Sequence, residues 1–315
     1  MQNVQQINYS MKKYFQHIIL FLFTAYFFGC GKPGPTEVVN DLPNDETPLQ
    51  IEVLAKNPED ALYKNGYDST GLLIPPPSTD VFLFISKNIV SQQSLSISYD
   101  IAQVFFFDKN SPVILPDGKR YGFHMKKVIP PKINSVQTKE VSHIIHSGMG
   151  SSVKETVLGP KYMLSRTGIL GDSLSLSYKS LVKFEYRKGM MNTVPPVEFT
   201  VEMPDQIIGN VTVTQNGKGE KILLLEWNKG TKDSVEIIIG GKLKSEKAAT
   251  AFFKLHVKDN GRVIIPPQLI KAIPKDRFDR LVFSFVRNAV SRRVEQSFEF
   301  FTVIQNTHSI IIDYP

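Results

Sequence analysis

Hydrophobic residues in this chain recur at every second position over many short stretches, and that period limits what the chain can build. In residues 174–186, Leu174, Leu176, Tyr178, Val182, Phe184 and Tyr186 share one parity, while Ser175, Ser177, Lys179, Lys183 and Glu185 share the other. Successive side chains of a strand point to opposite faces, so the alternation predicts one dry face and one wet face. Ser180 and Leu181 interrupt it, as a bulge would. The same rhythm returns at Leu49, Ile51 and Val53, at Val211 and Val213, at Val235, Ile237 and Ile239, at Phe253, Leu255 and Val257, and at Leu281, Phe283 and Phe285. Residues 81–85 are apolar without alternation, which predicts a strand buried on both faces. Asp117-Gly118, Asn216-Gly217, Gly240-Gly241 and Asn260-Gly261 tolerate positive φ and predict hairpin turns. Helical spacing is confined to 245–252 and to a single turn near 268–273. Many short strands with few helices predict an all-β chain made of two antiparallel β-sandwich domains.

The N-terminal residues follow a different rule. Lys12 and Lys13 precede a mostly apolar block, 18–28, that ends on Gly29 and the single cysteine, Cys30. Charged, apolar and small residues in that order make an export signal. The block falls well short of the roughly 20 residues a membrane-spanning helix needs. Residues 1–10 carry no charge, so Met11 fits as an alternative start of translation. Phe27-Phe28-Gly29-Cys30 resembles the lipobox of bacterial lipoproteins of the Bacteroidetes type, with strict matches at Gly29 and Cys30. The resemblance implies that residues 1–29 are a signal peptide, and that Cys30 is acylated and opens the mature chain. The acyl chains would then hold the protein to a membrane. With its only thiol so used, the chain has no disulfide and must be held by its core. Residues 30–48 are rich in Pro, Gly, Asn, Asp and Glu and read as a flexible tether. No acidic residue follows Cys30 directly, which favours the outer membrane, at its periplasmic or extracellular face.

Removal of residues 1–29 leaves 286 residues, enough for two domains with real cores. Pro204 and Asp205 interrupt two strand-like runs and place a boundary within 203–208. The expected parts are an N-terminal β-sandwich, 49–204, a second sandwich, 205–304, and a tail or added strand, 305–315. Trp227 lies in an apolar early strand, 223–227, behind the turn at Asn216-Gly217. In this the second sandwich resembles immunoglobulin-like and fibronectin type III-like domains, which implies an architecture and no particular activity. Loss of Lys12 and Lys13 lowers the formal charge from +7 to +5, too mild a value to argue for a nucleic-acid partner.

Candidate chemistry is sparse. Gly171-Asp172-Ser173-Leu174 resembles the nucleophile block of the GDSL esterases, which would make Ser173 the nucleophile. That family also carries an Asp-x-x-His, whereas His308 is preceded at that distance by Gln305, and strand-like alternation follows Leu174 where the family has a helix. Ser151 with Lys154, Ser180 with Lys183, and Arg166-Thr167-Gly168 imitate the spacings of penicillin-interacting enzymes without their order. Glu140, His143 and His146 could share a metal on a helix, but Gly and Ser just beyond them suit a loop. His256 alternates with Leu255 and Val257 and should face solvent. Arg287, Arg292 and Arg293 are expected at the tip of a hairpin joining 281–287 to 294–304. Phe105, Phe106 and Phe107 read as core, or else as an aromatic platform for a sugar or a protein.

No catalytic residue, metal site or cofactor is predicted. The expected function is that of a lipid-anchored, non-catalytic binding, adhesion or structural module of the cell envelope, with an envelope protein or a glycan as partner. A glycan-binding surface lipoprotein of a polysaccharide-uptake system and a GDSL-like esterase using Ser173 are the alternatives.

Overall fold

A computed structural model describes residues 49–54, 75–114, 120–147, 154–189, 195–215, 217, 219–231, 233–243 and 249–315. The export signal, Cys30, the tether, Asp117-Gly118 and Ser151 lie outside these residues. The chain is nearly all β. Its strands are β1 (Gln50–Val53), β2 (Val81–Gln92), β3 (Leu95–Ile114), β4 (Arg120–Met125), β5 (Lys132–Ile133), β6 (Val136–Gln137), β7 (Lys139–Ser147), β8 (Lys154–Thr167) and β9 (Leu170–Gly171). They continue with β10 (Leu181–Tyr186), β11 (Val197–Glu202), β12 (Gly209–Gln215), β13 (Lys221–Trp227), β14 (Ser234–Leu243), β15 (Ala249–Lys258) and β16 (Arg262–Ile265). A short helix, α1 (Pro267–Lys271), precedes the long strands β17 (Phe278–Glu295) and β18 (Phe298–Asp313).

One large sheet runs in the order β1-β15-β14-β17-β18-β2-β3-β8-β7, with β4 on β3 and β9 on β8. Two smaller sheets accompany it, β11-β10-β5-β6 and β12-β13-β16. Strand β18 explains how the three sheets fit. Its residues Phe298, Phe300 and Ile304 pack into the core of the four-stranded sheet with Val182, Phe184 and Phe199. Ile310 and Ile312 pack into the core of the three-stranded sheet with Leu223, Leu225 and Trp227. All five have the same parity, so both small sheets lie on one face of the large sheet, side by side along β18. Phe301 and Val303, of the other parity, enter a third core on the opposite face with Phe82, Phe84, Phe105 and Phe107.

The large sheet continues through the parallel pairing of β18 with β2, in which Phe300 lies beside Val81 and Ile311 beside Gln92. Strands from both sides of residues 203–208 therefore share one hydrogen-bonded layer. Residues 305–313, expected as a tail or added strand, belong to β18 itself.

Val81, Phe82, Leu83, Phe84 and Ile85 are fully buried, as their unbroken apolar run requires. Phe106 turns into one core and Phe105 and Phe107 into another, so these rings form no exposed platform. Other expectations need correction. Leu174 and Leu176 are buried, yet strand β10 begins only at Leu181, and Lys179 takes φ 58° in the intervening loop. Gly240-Gly241 makes no hairpin and lies inside β14 at a register shift. A Cβ on Gly240 would stand 2.5 Å from the Thr250 oxygen, and one on Gly241 would stand 2.6 Å from the Phe278 ring. Close approach explains these glycines. Within the expected helix 245–252, residues 249–252 are the start of β15. The turns at Asn134-Ser135 and Gln296-Ser297 have positive φ at both positions, 49° and 66° and then 47° and 69°, although neither contains glycine. Such paired positive φ values match the twist of a tight hairpin.

Candidate functional site

Between the two small sheets the shared face of the large sheet turns polar. Asn306 and His308 follow Ile304 on β18, and Arg287 lies opposite Asn306 on β17. Segment 203–208 crosses above them. The Asn306 Nδ2 donates to the Pro204 oxygen at 2.5 Å and to the Asp205 oxygen at 3.0 Å. Gly209 donates its N–H to His308 Nδ1 at 2.8 Å, so the neutral ring carries its proton on Nε2, which meets Ser91 Oγ at 2.9 Å. Burial lowers the His308 pKa below the ordinary histidine value.

Arg287 is the most deeply buried charge of this seam, at 0% exposure, and Asp259 is its partner at 2.9 Å. Its Nε also meets Asp259 at 3.1 Å, while the remaining donors reach the oxygens of Gln206 and Asn228. Asp259 in turn accepts from Trp227 Nε1 at 2.8 Å and from the Gly230 N–H at 3.0 Å. Buried charges persist only when paired and hydrogen-bonded, and this pair is both. A Cβ on Gly230 would lie 2.5 Å from the Arg287 guanidinium carbon, so glycine is required there.

A cleft of about 410 Å³ opens beside the seam. One wall is the end of β11 with Pro204 and Asp205, another is β17 from Ala289 to Arg293, and Lys179 and Thr231 flank the mouth. The opening exists because two strands end their pairing here. Strand β14 follows β17 only as far as Val286, and β11 is the last strand of its sheet among the described residues. Asp205 accepts the Thr231 N–H at 2.7 Å and pairs with Lys179 at 2.8 Å. Those contacts, Lys179 first, lower its pKa to about 2.

Arg293 lies over the Phe199 ring, its guanidinium carbon 4.2 Å from the ring centre. Its Nε is buried and has no hydrogen-bond partner. The cleft thus offers a carboxylate fixed by a lysine, a guanidinium over an aromatic ring with a free donor, and a lining that includes Thr200 and Ser291. Groups of this kind hold and orient a polar ligand.

The chain matches no protein-family model, no curated protein and no solved structure.

The residues singled out in the sequence are scattered. Ser173 is exposed on a loop, and its neighbour Asp172 is bound to Lys139 and to the Ser165 N–H at 2.9 Å. Those contacts, Lys139 first, hold the Asp172 carboxyl below the usual carboxylate range. Ser180 Oγ donates to the Ser177 oxygen at 2.7 Å, and Lys183 pairs with Glu185 at 2.6 Å and Glu198 at 2.9 Å, so serine and lysine do not meet. Arg166 ends in β8 and donates to the Gly168 oxygen at 2.9 Å. Glu140, His143 and His146 all fall on strand β7, where His143 and Glu140 are of opposite parity. His143 is 1% exposed and packs against Phe105. Among the described residues no group of three or more His, Cys, Asp or Glu could hold a metal ion. His256 is half-exposed beside Glu236.

The arginine cluster is the clearest correction. Strand β17 runs unbroken to Glu295 and turns at Gln296-Ser297, so Arg287 lies mid-strand in the seam and not at a tip. Arg292 is exposed, with its guanidinium carbon 5.5 Å from the Phe301 ring centre, and Arg293 faces the cleft. Asp205 and Lys179 appear in the sequence only as a boundary residue and a wet-face residue; Pro204-Asp205 and the arginine cluster with Arg293 are the signals that pointed here.

Proposed function

We propose that this chain is a lipid-anchored, non-catalytic binding module of the cell envelope, attached through Cys30 to the outer membrane. The cleft between the free edges of β11 and β17 is the observation that carries the binding reading. It has the volume of a ligand site, roughly 300–1,000 Å³, and convergent polar groups, of which Thr200, Ser291 and Arg293 stand on strands. The export signal from Lys12 to Cys30 supports attachment, and the absence of an acidic residue at Gly31 supports the outer membrane. The second sandwich places β12-β13-β16 against β15-β14-β17-β18, a three-against-four arrangement that supports the fibronectin type III-like reading of 205–304, with 305–313 joining it as the rest of β18. Loops and edges at the ends of such sandwiches are where binding is commonly built.

Attachment is tested by the intact mass of membrane-extracted protein beside a Cys30→Ala version. A mass equal to the chain from Cys30 plus acyl groups, lost in the variant, is the expected result. An unmodified mass in the soluble fraction would refute the anchor.

A further inference from the structure

The cleft wall and its cation point to one kind of ligand. We propose that the cleft takes an extended peptide bearing a carboxylate, which adds as a strand to the free edge of β11 and seats its carboxylate on Arg293. This rests on the binding-module reading above.

The edge supplies the first half of the inference. Met203 donates its N–H to the Ser180 oxygen at 2.9 Å, and the ladder beyond it pairs Leu181 with Glu202 and so on to Tyr186 with Val197. Along an antiparallel pair, backbone groups turn alternately toward and away from the partner. Residues with the parity of Met203 therefore face β10, and Glu198, Thr200 and Glu202 turn their N–H and C=O groups away from it. Thr200 and Glu202 line the cleft. This row is unpaired among the described residues, and such a row is a template for another strand; β-strand addition is a common mode of peptide capture.

Arg293 supplies the second half. Its guanidinium carbon lies over Phe199, 4.2 Å from the ring centre, and the Nε buried without a partner marks one edge of the fork as unused. A buried donor left unpaired is costly, and a carboxylate matches the paired N–H groups of a guanidinium edge. Lys179 is the second cation of the cleft, and it is already balanced by Asp205. An acidic glycan could also present a carboxylate to Arg293, but it lacks the alternating main-chain donors and acceptors that Thr200 and Glu202 fit.

The test uses the full-length protein in detergent and fluorescence anisotropy. The probe is an N-terminally labelled pool of hexapeptides alternating threonine and valine, with a free C-terminal carboxylate. A matched pool ends in an amide, and a third is N-methylated at alternate residues. Binding of the free-acid pool is expected to weaken by about tenfold or more for either control pool and in Arg293→Ala, with partial recovery in Arg293→Lys. Thr200→Pro removes an N–H directed away from β10, which an edge strand tolerates, and should weaken binding to a similar degree. Thermal transitions close to that of the parent show that each variant is folded. Equal binding of the acid and amide pools, or of the N-methylated pool, overturns the proposal. Binding of polygalacturonate that depends on Arg293, without peptide binding, overturns it while the module reading survives. Binding of neither probe overturns both.

Discussion

Replacement of Arg287 by methionine should test the seam most severely, because it leaves Asp259 as a buried charge without its cation. The two side chains are 0% and 2% exposed, so water cannot take over the lost contacts. Removal of one partner from such a pair costs about 3–5 kcal/mol. Loss of the bonds to the Gln206 and Asn228 oxygens adds about 1 kcal/mol, while the Trp227 Nε1 and the Gly230 N–H remain on Asp259 and soften the loss. The net expectation is about 4 kcal/mol. For a chain of this size each kcal/mol lowers the thermal midpoint by about 2–4 °C, so the transition should fall by roughly 8–16 °C. Guanidinium unfolding followed by tryptophan fluorescence suits the measurement, since Trp227 is the only tryptophan and it donates directly to Asp259. A cycle with Asp259→Leu should show coupling of about 2 kcal/mol between the sites. A loss below about 1 kcal/mol for Arg287→Met, or strictly additive single changes, would refute the reasoning that this pair organises the seam.

Other consequences follow from the same geometry. Gly230→Ala should cost about 1–3 kcal/mol in chemical denaturation, because its methyl group meets the immobile Arg287 2.5 Å away; an unchanged midpoint would contradict the contact. The lowered pKa of His308 means that the folded chain resists protonation more than the unfolded one, whose value is near 6.5. Its contribution is therefore complete above pH 6.5 and is lost as pH falls through the folded pKa. Stability measured from pH 7 down to about 5 should decline in the parent and flatten in His308→Gln, and identical slopes would remove His308 from the account. Asp205, with its pKa near 2, should add a second loss that begins only as pH drops below 3.8. Truncation after Ile304 removes Ile310 and Ile312 from one core and the pairing of 305–311 with β2, and should abolish the cooperative transition. A truncated chain that melted like the parent would show that β18 does not tie the layers together.

By itself the sequence determined that the chain is nearly all β and which faces many of its strands bury. The alternation at Val182, Phe184 and Tyr186 and the unbroken run at 81–85 each describe a single strand, and a strand's two faces are a local property of its backbone. Trp227 and the turn of α1 were legible for the same reason. The site was not. Arg293 stood out only as one of three clustered arginines, Lys179 as a wet-face residue, and Asp205 as a chain interruption. Charge on a strand predicts solvent unless something specific faces it, and what faces Arg287 is Asp259 from a loop after β15. Only the tertiary structure decided that meeting, because it depends on which strands are neighbours and on which layer covers each face. The same holds for Gly240 and Gly241, where Thr250 and Phe278 fill the space a side chain would need. It holds as well for Gln296-Ser297, a turn imposed by the long β17–β18 ladder without the help of glycine. Period and composition specify each strand, whereas the seam and its cleft arise where separately specified strands stop pairing, and no local pattern encodes that point.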